Sequence, residues 1–104
     1  MTEFCISAGI EATGVLPLAE TEALLAGLVR ATATEPGCIA FEIRQSLEDP
    51  RKFTLWERWT SEAALKAHYD YPHTRHVLET GATRVVYIEK LGAIGQAVPA
   101  PAQE

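Results

Sequence analysis

The spacing of apolar residues switches along this chain between a strand-like period of two and a helix-like period of about 3.6, and the order of the switches admits few folds. Phe4, Ile6, Ala8 and Ile10 alternate along the first run and mark one face of a strand. After Gly14 the repeat becomes helical, with Leu24, Leu25, Leu28 and Val29 on one side and Glu20, Glu22 and Arg30 elsewhere. Pro17 falls near the first turn, where its missing N–H costs little. Glu35-Pro36-Gly37 predicts a type II turn that stops the helix. Strand chemistry resumes over Cys38 to Gln45 and again from Lys52 to Trp59, with a short polar connection between them, which predicts an antiparallel hairpin. Thr60-Ser61 supplies the cap of a second helix with Ala64, Leu65 and His68 facing inward. Pro72 breaks it and starts a further helical segment to about Thr80, with Gly81 as terminator. A last strand spans Arg84 to Lys90.

The resulting order, β-α-β-β-α-β, predicts a ferredoxin-like α+β domain over residues 1–92, followed by a Pro/Ala-rich tail over 93–104. Helices cover one sheet face and leave the other bare. A chain of 104 residues has a modest core, so a homodimer is the expected way to bury that second face. The net charge of −5, with scattered Lys and Arg, argues against a nucleic-acid or anionic membrane surface. No apolar run is long enough to span a bilayer, and Met1 to Cys5 lacks signal-peptide chemistry, so the expected location is cytoplasmic. Cys5 and Cys38 have no metal-ligand spacing and read as small buried apolar groups.

The third strand carries the chemical signal. Alternation places Phe53, Leu55, Glu57 and Trp59 together and turns Trp56 and Arg58 away. A carboxylate among large apolar residues has a raised pKa and can carry protons, or it can be a structural group held by a helix amide or an arginine. His68, on the inward side of the helix packed over this strand, can accept a proton near neutral pH, or can be a satisfied core histidine. His73 follows Pro72 as a candidate contact or cap, and His76 reads as exposed. The histidines and Glu57 match no zinc pattern, and there is no phosphate loop, nucleophile motif or dinucleotide fingerprint, so no metal and no cofactor are expected.

The set Glu35-Pro36-Gly37-Cys38, Phe53-x-Leu55-x-Glu57-x-Trp59 and Ser61-x-x-Ala64-Leu65-x-x-His68-x-x-x-Pro72-His73 resembles the antibiotic biosynthesis monooxygenase family, nearest its quinol-monooxygenase-like branch. The resemblance implies a dimeric α+β barrel with a pocket between sheet and helices in each subunit. It also implies a cofactor-independent reaction of a small quinol or phenol with O₂, with His68 as base and Glu57 orienting it or sharing its proton. Trp59 and Phe53 would wall the pocket, beside Leu55, and Tyr69 or His73 would bond a substrate oxygen. Leu55 and Leu65 replace polar pocket residues of the polyketide oxygenases, while His68 and Leu78 stand where the haem-degrading branch has its tryptophan and histidine. Two other readings stand beside this one: an isomerase of a small phosphorylated sugar using the same histidines, and a non-catalytic dimeric small-ligand binding module.

Overall fold

The computed structural model describes residues 3–95 and 97, and its helices all pack on one face of a four-stranded sheet. The elements are β1 (Phe4–Ala12), α1 (Leu18–Thr32), β2 (Cys38–Gln45), β3 (Lys52–Trp59), α2 (Glu62–His68), α3 (Pro72–Thr80) and β4 (Thr83–Leu91). The sheet order is β2-β3-β1-β4 with each neighbouring pair antiparallel, which is the ferredoxin-like α+β plan. Most of the 93–104 tail lies outside the described residues, and Ala93 to Gly95 are exposed.

The helix boundaries follow from local chemistry. Pro17 stands one position before α1, as its N-cap. The Ser61 hydroxyl caps α2 by accepting from the Ala64 N–H at 3.1 Å, a contact worth about 1 kcal/mol. Gly81 closes α3 with φ +67, a left-handed conformation that favours glycine. β1 and β4 extend slightly past their apolar alternation, because ladder pairing at Glu11↔Arg84 and Ala12↔Thr83 continues where the pattern stops.

Ile6, Ala8 and Ile10 of β1 face the helices and are buried there with Phe41, Leu25 and Leu28. On α1 the fully inward stripe is Thr21, Leu25, Leu28 and Thr32, with Leu24 and Val29 only partly buried. The threonines therefore continue a face that apolar spacing alone marks as shorter. Thr21 Oγ1 donates to the Pro17 carbonyl at 3.4 Å, whereas the buried Thr32 Oγ1 has no partner among the described residues. Replacing that hydroxyl by a methyl group removes an unmet polar atom at nearly constant shape. Thr32→Val is expected to stabilise the chain by about 1 kcal/mol, and a lower melting temperature would contradict this.

The opposite sheet face has no helix over it. Trp56, Tyr87 and Leu91 are exposed there. Arg58 pairs with Glu3 across the β3–β1 edge at 2.6 and 2.7 Å, and Cys5 is buried beside this pair. Tyr87 lies over Gly9, where a Cβ would approach its ring to 2.4 Å, so the glycine makes room for the ring. At this point the β1–β4 register steps from Gly9↔Tyr87 to Ile10↔Val85, leaving Val86 as an extra residue. This β-bulge turns both Val85 and Ile88 to the helix-covered side, opposite Ile10 and Ala8.

Candidate functional site

The turn after α1 begins the site. Cys38 N–H donates to the Glu35 carbonyl at 3.2 Å, and Gly37 has φ +86, the geometry of a type II turn with Pro36 at its second position. Gly37 is also a packing requirement, since a Cβ there would meet the Ala64 Cβ at 2.6 Å and Thr60 Oγ1 at 2.9 Å. The start of α2 is thus seated directly on the turn, with Thr60 N–H donating to the Gly37 carbonyl. This docking buries the Glu35 side chain, which is only 2% exposed.

Two imidazoles converge on that carboxylate. Glu35 Oε2 accepts from His68 Nδ1 at 2.8 Å and from His73 Nε2 at 2.5 Å. His68 is the last residue of α2 and His73 the second of α3, so the break at Pro72 lets two consecutive helices bracket one acceptor. Thr74 Oγ1 lies 3.3 Å from His68 Nδ1. Phe41, Trp59 and Tyr69 surround the His68 ring, with Trp59 the nearest at 5.1 Å between ring centres.

From the sequence, Glu57 is the expected partner of His68. The structure gives that position to Glu35, which the sequence marks as part of a turn and of the family-like pattern but not as a site residue. Among the described residues, neither a helix amide nor an arginine holds Glu57. Its Oε1 accepts from the Trp59 indole N–H at 2.9 Å. Burial raises the Glu57 pKa, the indole hydrogen bond opposes the rise, and the Glu35 charge adds to it. Burial also holds the His68 imidazole below its ordinary value, against the opposing hydrogen bond that it donates to Glu35. The Tyr69 phenol is raised by burial and by the nearby Glu57 charge.

These groups border a cavity of about 90 Å³ between the sheet and the helices. Leu55, Glu57, His68 and Tyr69 line it, and the exposed Leu78, Val85 and Ile88 frame its mouth between α3 and β4. Trp59 and Phe53 are not part of the wall. Trp59 is 0% exposed and lies behind His68, while Phe53 contributes to the core nearer α1. His73 reaches Glu35 and does not line the cavity, and His76 is exposed as expected. Among the described residues, the donor atoms grouped closely enough for a cation are those of Glu35, His68 and His73, rather than Glu57 with the histidines.

The raised carboxyl at Glu57 has a pH consequence. The folded state keeps this proton to higher pH than the unfolded chain does. Its contribution to stability is therefore present below the ordinary carboxyl value of 4.5 and lost as pH rises through the raised folded value. Glu57→Gln keeps an acceptor for the indole and cannot ionise. Its melting temperature relative to the parent is expected to climb between about pH 4 and pH 8, and a constant difference would refute the assignment.

Residues 18–80 match the family model described as antibiotic biosynthesis monooxygenase. A curated relative, the uncharacterized protein YjcS of Bacillus subtilis, is 37% identical over 59 residues, which span 57% of this chain and 56% of that protein. A solved structure of a protein also named YjcS superposes with a TM-score of 0.81 at 30% identity, covering 88% of this chain and 98% of the other. A Nitrosomonas europaea structure, named as a candidate antibiotic biosynthesis monooxygenase, shares the fold with a TM-score of 0.72 at 20% identity, covering 90% and 93%. No helix among the described residues is long and apolar enough to cross a membrane.

Proposed function

Because the chain belongs to the antibiotic biosynthesis monooxygenase family, we propose that it oxidises a small quinol or phenol with O₂, without a cofactor, using His68 as the base. The observation that carries this reading is the hydrogen bond from His68 Nδ1 to the buried Glu35. With its Nδ1 proton held by a carboxylate, a neutral imidazole has its free lone pair on Nε2, which has no partner among the described residues. A buried imidazole with a lowered pKa stays neutral at neutral pH and is ready to accept a phenolic proton.

In this reading Nε2 takes the phenolic proton, and the Glu35 carboxylate stabilises the imidazolium that forms. The electron-rich phenolate then reduces O₂ and bonds one of its oxygen atoms at a ring carbon. The O–O bond breaks, the second oxygen leaves as water with the phenolic and ring hydrogens, and a quinone remains. Phenol plus O₂ thus gives quinone plus water, with every electron supplied by the substrate. Glu57, a second proton-active group on the same wall, can deliver the proton that the departing oxygen needs. The Tyr69 phenol, kept protonated, can donate to a substrate oxygen at the mouth.

The cavity lining supports a neutral, largely apolar substrate. Among the described residues it contains no Lys or Arg, which disfavours the phosphorylated-sugar isomerase reading. The bare sheet face with Trp56, Tyr87 and Leu91 supports assembly with a second copy, which sedimentation tests. Incubation of candidate quinols with enzyme under air and under nitrogen tests the activity. Quinone formed only under air, and lost in His68→Ala, is the expected result. Equal product under both gases would sink the oxygenase reading, and no product from any candidate would leave a ligand-binding module as the better one.

A further inference from the structure

We infer that Glu35, His68 and His73 form a binding site for a first-row divalent transition cation. Their donor atoms, one carboxylate oxygen and two imidazole nitrogens, all lie within 4.8 Å of one another. The set is assembled from three separate places in the chain: the turn after α1, the end of α2 and the first turn of α3.

Charge and hydrogen bonding both leave room for a cation. The Glu35 carboxylate is almost wholly buried, and no Lys or Arg pairs with it among the described residues. Its Oε1 is buried without any donor there. A buried carboxylate with an unmet oxygen carries a desolvation cost that a bound cation offsets directly. The two imidazole N–H groups satisfy only Oε2.

The separations are close to those of a coordination sphere. Metal bonds of about 2.0–2.2 Å set adjacent donors roughly 3 Å apart, against 2.8 and 2.5 Å from Oε2 to the two nitrogens. Binding requires small movements of each nitrogen away from Oε2 and of the two nitrogens, which lie within 4.8 Å of each other, onto one centre. His73, on the first turn of α3 and 27% exposed, is the ligand freest to make them. Thr74 Oγ1 and water are available for the remaining positions. Two imidazoles with one carboxylate favour Zn²⁺ or Fe²⁺ over Mg²⁺ and Ca²⁺, which prefer all-oxygen sites.

The cation and the protons compete for the same atoms. Coordination requires Nδ1 of His68 to lose its proton, which leaves the remaining proton on Nε2. The metal-bound form then presents an N–H donor to the cavity in place of a base. This last consequence rests on the proposed oxygenase reading, whereas the binding site itself does not.

The test is a titration of untagged, chelator-stripped protein with Co²⁺ followed by visible absorption, and with Zn²⁺ by calorimetry. One equivalent per chain is expected, with the ligand-field bands of a mixed nitrogen and oxygen set. Affinity is expected to fall about 100-fold or more in Glu35→Gln and in His73→Gln, since even outer-sphere partners of a ligand are worth 10–100-fold. His76→Gln, at an exposed position, is expected to bind like the parent. Circular dichroism shows whether each variant is folded, and the partly exposed His73 gives a variant with little reason to unfold. Absence of saturable binding to the parent, or undiminished binding to folded His73→Gln, would overturn the proposal. None of these readouts uses turnover, so a failed oxygenase assay leaves them unaffected.

Discussion

Glu35→Ala is expected to lower stability by about 3 kcal/mol, because two imidazole N–H groups lose their common charged acceptor and one of them is deeply buried. A domain of this kind has about 5–15 kcal/mol in total, so the variant should unfold at a clearly lower urea concentration. Glu35→Gln separates the two roles of the residue. An amide oxygen still accepts, so the stability loss is expected to be nearer 1 kcal/mol. It carries no charge, however, so in the proposed reaction it holds the Nδ1–H tautomer less firmly and does not stabilise the imidazolium. Turnover of any oxidised quinol is expected to drop by about 10²–10⁴-fold, the usual range for loss of general-base assistance. The change should fall mainly on kcat, since Glu35 does not line the cavity. A Glu35→Gln enzyme with parental kcat would remove Glu35 from the reaction.

The other large effect is expected at Trp59. Its side chain is fully buried, it packs on the His68 ring, and its indole holds Glu57. Trp59→Ala is expected to cost about 3–5 kcal/mol by emptying a large core volume. Trp59→Phe is the informative companion, because it keeps an aromatic ring and most of that volume while removing the N–H donor. Glu57 then loses the contact that restrains its pKa, so its carboxyl should titrate at still higher pH. Carboxyl titrations followed by ¹³C NMR in both chains would measure the shift. An unchanged Glu57 titration would show that the indole bond has no influence on it.

What could be read from the sequence was whatever local chemistry determines. Alternation on β3 separates Glu57 and Trp59 from Trp56 and Arg58, and the structure keeps that division. The Glu35–Cys38 turn, the Ser61 cap and the Gly81 terminator likewise follow from a few neighbouring residues. Alternation assigns a face but no position along the strand. Phe53 and Trp59 share a face, yet at about 3.4 Å per residue they stand roughly 20 Å apart, too far to border one small cavity.

Glu35 was illegible for a different reason. A charged residue next to Pro-Gly has the local signature of a solvated loop. Its burial comes from helices that reach it across 33 and 38 residues of sequence. The nearest sequence clue was the need for glycine at Gly37, where close approach of α2 and positive φ coincide. A turn that must admit a helix so closely has little solvent left around its first residue.

The extra residue at Val86 has a consequence for how this strand is compared between relatives. Val85 and Ile88 both look toward the cavity although they are an odd number of positions apart. A homologous strand shorter by that one residue could present the same two side chains with strict alternation. Aligned without a gap at Val86, such a relative would have a cavity residue matched to a residue of the outer face, and a conserved mouth would look like variation. The gap belongs inside the strand, where alignments are usually least willing to place one.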